Sequence, residues 1–172
     1  ESGDAAGAQI LAADLTARMA LPEVTAALTA NSNVTLRARV ARIRLELRDA
    51  HEVLRLLDGI ETGEGAPGRT IVDVLRLRAC LMLGQHDHAD AQAARLRTRL
   101  RNATARDDPD MAEAFVALGL HALDRGDPAL AQSDLAAARA VFGERAVRAR
   151  SARQMALLER ALSAHASGRL EA

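Results

Sequence analysis

The feature that most constrains this fold is the end of one helix placed directly beside the start of another. In AEAFVALGLHALDRGDPALAQSDLAAARAVFG, residues 112–143, two alanine-rich apolar runs flank the four residues Arg-Gly-Asp-Pro. Gly126 suits the left-handed backbone conformation that ends a helix. Asp127 and Pro128 provide an N-cap and a first helical residue. So short a connection predicts two antiparallel helices that pack side by side.

The apolar residues of both runs recur at the spacing of one helix face. The predicted inner face of the first helix consists of Phe115, Leu118, Gly119, Ala122 and Leu123. That of the second consists of Ala131, Leu135, Ala138 and Phe142. Glycine and alanine at the crossing predict close approach of the two helix axes. We expect the first helix to begin at Asp108 and Pro109, a capping residue followed by a first-position proline.

The composition indicates an all-α domain with an aliphatic core. Hydrophobic residues make up 49% of the 172 residues, but there is no Trp or Tyr and there are only two Phe. Alanine and leucine, which are strong helix formers, must therefore supply the core. The length is sufficient for one domain, which we predict to span residues 1–172.

The same turn recurs along the chain. Gly84 lies five residues before Ala89, just as Gly126 lies five residues before Ala131, and Arg48 occupies the corresponding place in an earlier unit. Aligning these turns gives units that start near residues 34, 70 and 112, with steps of 36 and 42 residues. Such a period is typical of a helical solenoid.

The repeat pattern divides the chain into five predicted segments. They are N-terminal helices in 1–33, repeat units 34–69, 70–111 and 112–143, and a C-terminal capping helix in 144–172. Thr70 and Asp73 have the Thr-x-x-acid spacing of a capping box, which predicts the start of a helix. We expect a break before Pro22, a flexible linker at 59–68 and a helix end at Gly168.

One repeat unit carries the signature of a known family. Its matching positions are Phe115, Leu118, Gly119, Ala122, Gly126, Ala131, Leu135 and Ala138. With these, residues 112–145 resemble the 34-residue tetratricopeptide repeat. In the earlier units Arg37 and Arg48 replace the aromatic residue and the glycine, and Asp73 and Arg76 replace apolar residues.

The irregular steps and the phrase RIRLELRDAHEVLRLL are similar to the degenerate repeats of large bacterial transcriptional regulators of the MalT/LuxR type. The resemblance implies a right-handed superhelix of antiparallel helix pairs, a tetratricopeptide-like (TPR-like) α-solenoid of about eight or nine helices. It also implies a non-enzymatic scaffold that binds a protein or peptide partner or a small effector. Such a scaffold would be the sensory or docking part of a regulator in signal transduction.

In tetratricopeptide proteins, ligands usually meet the concave wall formed by the first helix of each pair. Carried over by register, the resemblance implies a groove lined by Arg42, Glu46, Arg78, Met82, Glu113, Leu120 and Asp124. Arg42 and Arg78 stand at equivalent positions, which suits a carboxylate or an acidic peptide. Alternatively, both arginines pair with neighbouring acids. The alternative function is an oligomerisation module, such as a homodimer interface, or a spacer between domains.

The residue pattern gives no support to catalysis, a cofactor or a metal site. There is no nucleophile–base–orienter set and no glycine-rich phosphate loop. Cys80 and the His86-Asp87-His88 turn lack a zinc-binding spacing. The acidic run Asp107, Asp108 and Asp110 lacks the ligand spacing of a calcium loop and is explained by helix capping. For His121 and His165, near apolar helix faces, we expect partly buried structural roles.

Charge and cysteine content indicate the surroundings in which the chain is expected to work. The 23 basic and 23 acidic residues balance, so no global field attracts nucleic acid or an anionic membrane. The arginine-rich stretches at 37–48 and 95–101 lack aromatic residues for base stacking. Cys80 is the only cysteine, and no apolar run approaches the length of a membrane span. Because the chain opens with Glu1 and no signal pattern follows, we expect an excised part of a longer cytoplasmic protein.

Overall fold

The computed structural model describes residues 2–19, 21, 30–61, 69–102, 110–143 and 149–166. Within these ranges the chain forms eight helices and no strand, which confirms the all-α class. The helices are α1 (Ser2–Met19), α2 (Ala30–Glu46), α3 (Ala50–Leu57), α4 (Arg69–Met82), α5 (His86–Asn102), α6 (Met111–Asp124), α7 (Pro128–Gly143) and α8 (Ala149–Ala166). The chain divides into two compact units, Glu1–Gln85 and His86–Ala172, and the boundary falls within the predicted repeat unit 70–111.

The first unit is built around the short helix α3. Both α2 and α4 pack against α3 and against each other, and α1 packs on α2. The core is aliphatic, as its composition predicts. Its most deeply buried side chains include Val40, Ala41, Val53, Leu57, Val74, Leu75 and Leu77.

Two arginines close the C-terminal end of α3, where helix carbonyls lack partners within the helix. Arg37 of α2 donates from Nε to the Leu56 carbonyl at 2.5 Å and from Nη2 to the Asp58 carbonyl at 2.6 Å. Arg76 of α4 donates from Nη2 to the carbonyls of Leu57 and Ile60, at 2.5 and 2.9 Å. Their positive charge also interacts favourably with the negative end of the helix dipole. Arg37 and Arg76, which depart from the tetratricopeptide pattern, therefore have a structural role here.

The second unit is a helical hairpin with two further helices against it. Helices α6 and α7 pack closely, α8 packs on both, and α5 packs on α6. The core cluster consists of Val116, Ala122, Ala131, Leu135, Ala138, Leu158 and Leu162. The predicted inner faces are confirmed at Leu118, Gly119, Ala122, Ala131, Leu135 and Ala138, all buried, whereas Phe115 and Leu123 are half-buried. The side chain of Phe142 lies outside the described residues.

The predicted close approach in this hairpin is confirmed at Gly119. A Cβ atom added there would lie 3.4 Å from the Ala131 carbonyl oxygen of α7 and 2.7 Å from Leu158 Cδ2 of α8. The absence of a side chain at Gly119 therefore allows the close approach of α8 more than that of α7. The fully buried Leu158 fills the space that a larger residue would need.

Three helix-ending turns share one hydrogen-bond pattern. At Asp49, Gln85 and Asp127 the backbone N–H donates to the carbonyl five residues back, at 2.9, 2.9 and 2.8 Å. The residue before each is left-handed, with φ 60° at Arg48, 64° at Gly84 and 74° at Gly126. These paired features are those of the Schellman motif. The left-handed conformation predicted for Gly126 is confirmed, and the turns at Arg48 and Gly84 share it, with steps of 36 and 42 residues between the three. The repeat units themselves stay a prediction.

The helix starts agree with the sequence at Asp127 and differ at two other places. Helix α7 begins at Pro128, and Asp127 Oδ1 accepts from the Leu130 N–H at 2.9 Å. Helix α4 begins at Arg69, so Thr70 is a buried residue of its first turn rather than its N-cap. Helix α6 begins at Met111 with Asp110 at the N-cap position.

Several predicted boundaries lie outside the described residues. They are the break at Pro22, the linker residues 62–68, residues 144–148 and the end at Gly168. Asp108 and Pro109, the residues predicted to start α6, also lie outside the described ranges. The predicted C-terminal helix is observed over Ala149–Ala166, with Leu158 and Leu162 buried as its apolar side requires.

Candidate functional site

A cavity of about 470 Å³ lies between α5 and α6 in the second unit. Its described lining residues are Ala94, Arg97, Thr98, Leu100, Arg101, Phe115 and Leu118. Residues 94, 97, 98 and 101 follow the i, i+3, i+4, i+7 spacing of one helix face, so α5 presents them as a continuous stripe. The volume falls in the range of small-molecule sites, about 300–1,000 Å³.

The floor of this cavity is apolar. Leu118 of α6 is fully buried, whereas Phe115 on the same helix is half-buried and packs on the core cluster. Leu100 and Ala94 add aliphatic surface from α5. A ligand here would bury its own apolar surface against one of the chain's two phenylalanines.

Arg97 is fixed in place by a carboxylate from a third helix. Its Nη1 and Nη2 donate to Asp134 Oδ1 and Oδ2 of α7 at 3.1 and 2.8 Å, which is a bidentate arrangement. Asp134 is only 5% exposed, so the arginine neutralises a nearly buried charge. Arg97 thereby ties α5 to α7 and forms one wall of the cavity.

Arg101 lies one turn further along the same stripe in a different environment. Its Nη2 donates to the Thr98 hydroxyl at 3.3 Å, and the residue is exposed. The described lining residues include these two arginines and no acid. Because Asp134 offsets the charge of Arg97, Arg101 gives the cavity a net positive side.

A second polar cluster joins α5 to α6 near the start of α5. His86 Nδ1 lies 2.9 Å from Asp124 Oδ2, and His121 Nε2 lies 2.7 Å from Asp90 Oδ1. Arg125 Nη2 is 3.4 Å from Asp90 Oδ2. The hydrogen bond from His121, aided by the nearby charge of Arg125, holds the pKa of Asp90 below its usual range. His121 is partly buried, as expected, and it also makes a specific hydrogen bond to Asp90.

Four of the seven predicted groove residues lie in the first unit. Arg42 on α2 and Arg78 on α4 are half-buried, and Glu46 and Met82 are the exposed last residues of the same two helices. Arg42 precedes Arg48 by six residues and Arg78 precedes Gly84 by six. The two arginines therefore hold equivalent positions relative to equivalent turns.

The other three predicted groove residues are on α6 in the second unit. Glu113 is only 6% exposed in the first turn of the helix, and Leu120 is half-buried against the core cluster. Asp124 is an exposed residue that contacts His86. Leu120 also lies six residues before its turn, as Arg42 and Arg78 do. The groove formed by all seven residues stays a prediction.

The candidate metal ligands Cys80, His86, Asp87 and His88 differ in their exposure to solvent. Cys80 is buried, and burial raises the pKa of its thiol. His86, Asp87 and His88 are exposed residues in the first turn of α5, rather than in a preceding loop. Among the residues that the structure describes, no cluster of three or more His, Cys, Asp or Glu side chains could hold a metal ion. Asp107 and Asp108 lie outside these residues.

The cavity is not predicted by the sequence, although the polar residues that line it stand at helical spacing along α5. The pattern of arginines at 95–101 suggests only a nucleic-acid surface, for which aromatic partners are lacking. The signal that was available is the spacing of Arg97, Thr98 and Arg101 on one helix face. Their apolar partner Phe115 lies on another helix, and only packing brings it beside them.

No helix in the described part of the chain combines the length and apolar character that crossing a bilayer would require. Comparison with protein-family models, with curated proteins and with solved structures found no match to this chain.

Proposed function

We propose that this chain is a non-enzymatic binding scaffold that takes a small effector or a segment of a partner protein. The observation that carries the proposal is the cavity between α5 and α6, with an apolar floor and an arginine on its rim. Ligand sites are commonly concave and mostly apolar, with a few polar groups that orient the ligand. The side chains that line it are held by the packing of α6 and by the Arg97–Asp134 pair.

The regulatory role rests on the resemblance to MalT/LuxR-type regulators. In that setting the helix pairs would continue as a right-handed, TPR-like superhelix, and ligand binding would be the sensory event. The three turns with one hydrogen-bond pattern support a repeated helix–turn–helix arrangement. The proposed setting is the bacterial cytoplasm, with no direct contact to nucleic acid by this domain.

The test uses a variant that fills the cavity without disturbing the core. Ala94 lines the cavity and is exposed, so Ala94→Phe should occupy the space and leave the fold intact. Wild type and variant are screened by thermal shift against a metabolite collection and by array against short peptides. We expect ligands that bind the wild type and lose at least tenfold in affinity for Ala94→Phe. A screen in which every ligand binds both proteins equally would place the function elsewhere.

The alternative function, an oligomerisation or spacer module, is favoured by a different observation. Ile10 and Leu11 on α1 are 72% and 53% exposed, and large apolar side chains side by side on a helix suit a protein contact. Light scattering distinguishes the two functions. A stable dimer that dissociates on Ile10→Ser with Leu11→Ser would favour the alternative, whereas a monomer in both forms would favour the scaffold.

A further inference from the structure

The charge balance inside the α5–α6 cavity indicates what class of ligand it would accept. Arg97 is committed to Asp134 through both terminal nitrogens, at 3.1 and 2.8 Å. Arg101 contacts the uncharged hydroxyl of Thr98 at 3.3 Å. Since the described lining residues include no acid, the cavity offers one guanidinium whose charge is not offset within it.

The polar and apolar groups are arranged in a definite order. Thr98 and Arg101 lie on α5, and Phe115 and Leu118 lie across the cavity on α6. A ligand that satisfies both sides needs one anionic end and an apolar remainder. The planar fork of an arginine matches a carboxylate, which accepts two parallel hydrogen bonds. The Thr98 hydroxyl donates its one proton to the Ala94 carbonyl at 3.1 Å, so Arg101 is the group that would bind the carboxylate.

We propose that the cavity binds a small monocarboxylate with an apolar chain. This inference deepens the proposed binding function and rests on it. Among the described lining residues, the one guanidinium whose charge is not offset matches a single negative charge. A volume of about 470 Å³ accommodates a ligand of small-molecule size. The apolar chain would lie on Phe115 and Leu118, and its carboxylate would replace water around Arg101.

The experiment compares three probes that separate charge from apolar surface. Octanoate carries both features, octanamide has the same chain without the charge, and acetate has the charge without the chain. Binding is measured by isothermal titration calorimetry at pH 7, where a carboxyl group is ionised. We expect octanoate to bind at least tenfold more tightly than octanamide, and acetate not to bind measurably.

Two arginine variants test whether the preference for octanoate over octanamide arises in the cavity. Arg101→Gln should remove the preference for octanoate over octanamide and leave the helical circular dichroism unchanged. The matched control is Arg95→Gln, an exposed arginine on α5 that does not line the cavity, which should keep the full preference. Equal loss in the two variants would show a general charge effect and would overturn the inference.

The outcomes separate this inference from the proposed function. If octanamide binds as tightly as octanoate, and Ala94→Phe weakens both, the cavity binds ligands but does not select an anion, so only the monocarboxylate assignment fails. If neither probe binds and the screen against Ala94→Phe finds no cavity ligand, both the inference and the proposed function fail.

Discussion

Arg48 and Gly126 occupy the same position in two equivalent turns, with φ angles of 60° and 74°. In each turn the next residue, Asp49 or Asp127, donates its N–H to the carbonyl five residues back. Among the described residues other than glycine, Arg48 has the one positive φ angle. An L-residue with a side chain meets a steric cost in this conformation that glycine avoids. The turn at Arg48 therefore carries backbone strain that the turn at Gly126 does not.

Exchanging these two residue types should change stability in opposite directions. We expect Arg48→Gly to stabilise the chain by about 0.5–1 kcal/mol and Gly126→Arg to destabilise it by about 1 kcal/mol or more. No neighbouring atom lies within 4 Å of a Cβ built at Gly126, so its cost is one of backbone conformation alone. Urea unfolding measures both changes. A destabilised Arg48→Gly variant would contradict the strain argument.

Two helical glycines provide a matched test of packing around Leu158. Alanine favours a helix over glycine by about 1 kcal/mol at either position. Gly7 has no neighbour within 4 Å of an added Cβ, whereas at Gly119 the Cβ would lie 2.7 Å from Leu158 Cδ2. We expect Gly119→Ala to be less stable than Gly7→Ala by about 1–3 kcal/mol, the usual cost of overpacking. Equal gains in melting temperature would show that Leu158 moves aside freely.

The Arg97–Asp134 pair should respond asymmetrically to the loss of either partner. Arg97→Met leaves a carboxylate that is 5% exposed without its counter-charge, which costs about 3–5 kcal/mol for a buried pair. Asp134→Leu leaves an arginine whose side chain is 32% exposed and can reach water, so its cost should be smaller. The double variant should recover part of the loss from Arg97→Met. Denaturant unfolding of all three variants completes the cycle, and additive losses would mean that the pair is uncoupled.

The contact between His121 and Asp90 should make the stability of the folded chain depend on pH. The hydrogen bond from His121, with help from Arg125, lowers the pKa of Asp90 in the folded chain. A lowered folded-state pKa stabilises the protein above the unfolded-state pKa, about 3.9 for aspartate, and this contribution is lost as pH falls through the folded-state value.

Replacing His121 should therefore raise the Asp90 pKa. We expect an increase in His121→Phe, measured from the carboxyl carbon shift of Asp90 in an NMR titration. His51→Phe is the control, since His51 is an exposed residue of α3 in the other unit. An unchanged Asp90 pKa in His121→Phe would assign the lowered value to other charges.

The predicted groove of the first unit has its own test, independent of the cavity. Arg42 and Arg78 hold equivalent positions relative to their turns, which suits an acidic partner. With the natural partner or an acidic peptide library, Arg42→Glu with Arg78→Glu should weaken binding at least tenfold. The helical circular dichroism should stay intact. Unchanged affinity in the folded double variant would show that Arg42 and Arg78 do not form the binding site.

Local signals in the sequence determined the helical class, the turn at Gly126 and the start at Pro128. These features depend on contacts within a few residues, and glycine, aspartate and proline mark them directly. The start of α6 at Met111 shows the limit of such signals, because three acids around Pro109 offer competing caps. At Arg48 the left-handed turn forms without glycine, because the packed helices on either side hold the backbone there.

The tertiary structure alone decided which distant residues meet. Gly119 contacts a leucine 39 residues later, and Arg97 pairs with Asp134, 37 residues along the chain. In the sequence, Arg37 and Arg76 are departures from the repeat pattern. The structure explains both, because each donates a hydrogen bond to a carbonyl at the end of α3. The cavity likewise combines a polar stripe on α5 with Phe115 of α6. Periodicity shows which face of a helix is apolar, but the partner that covers it depends on how the whole chain packs.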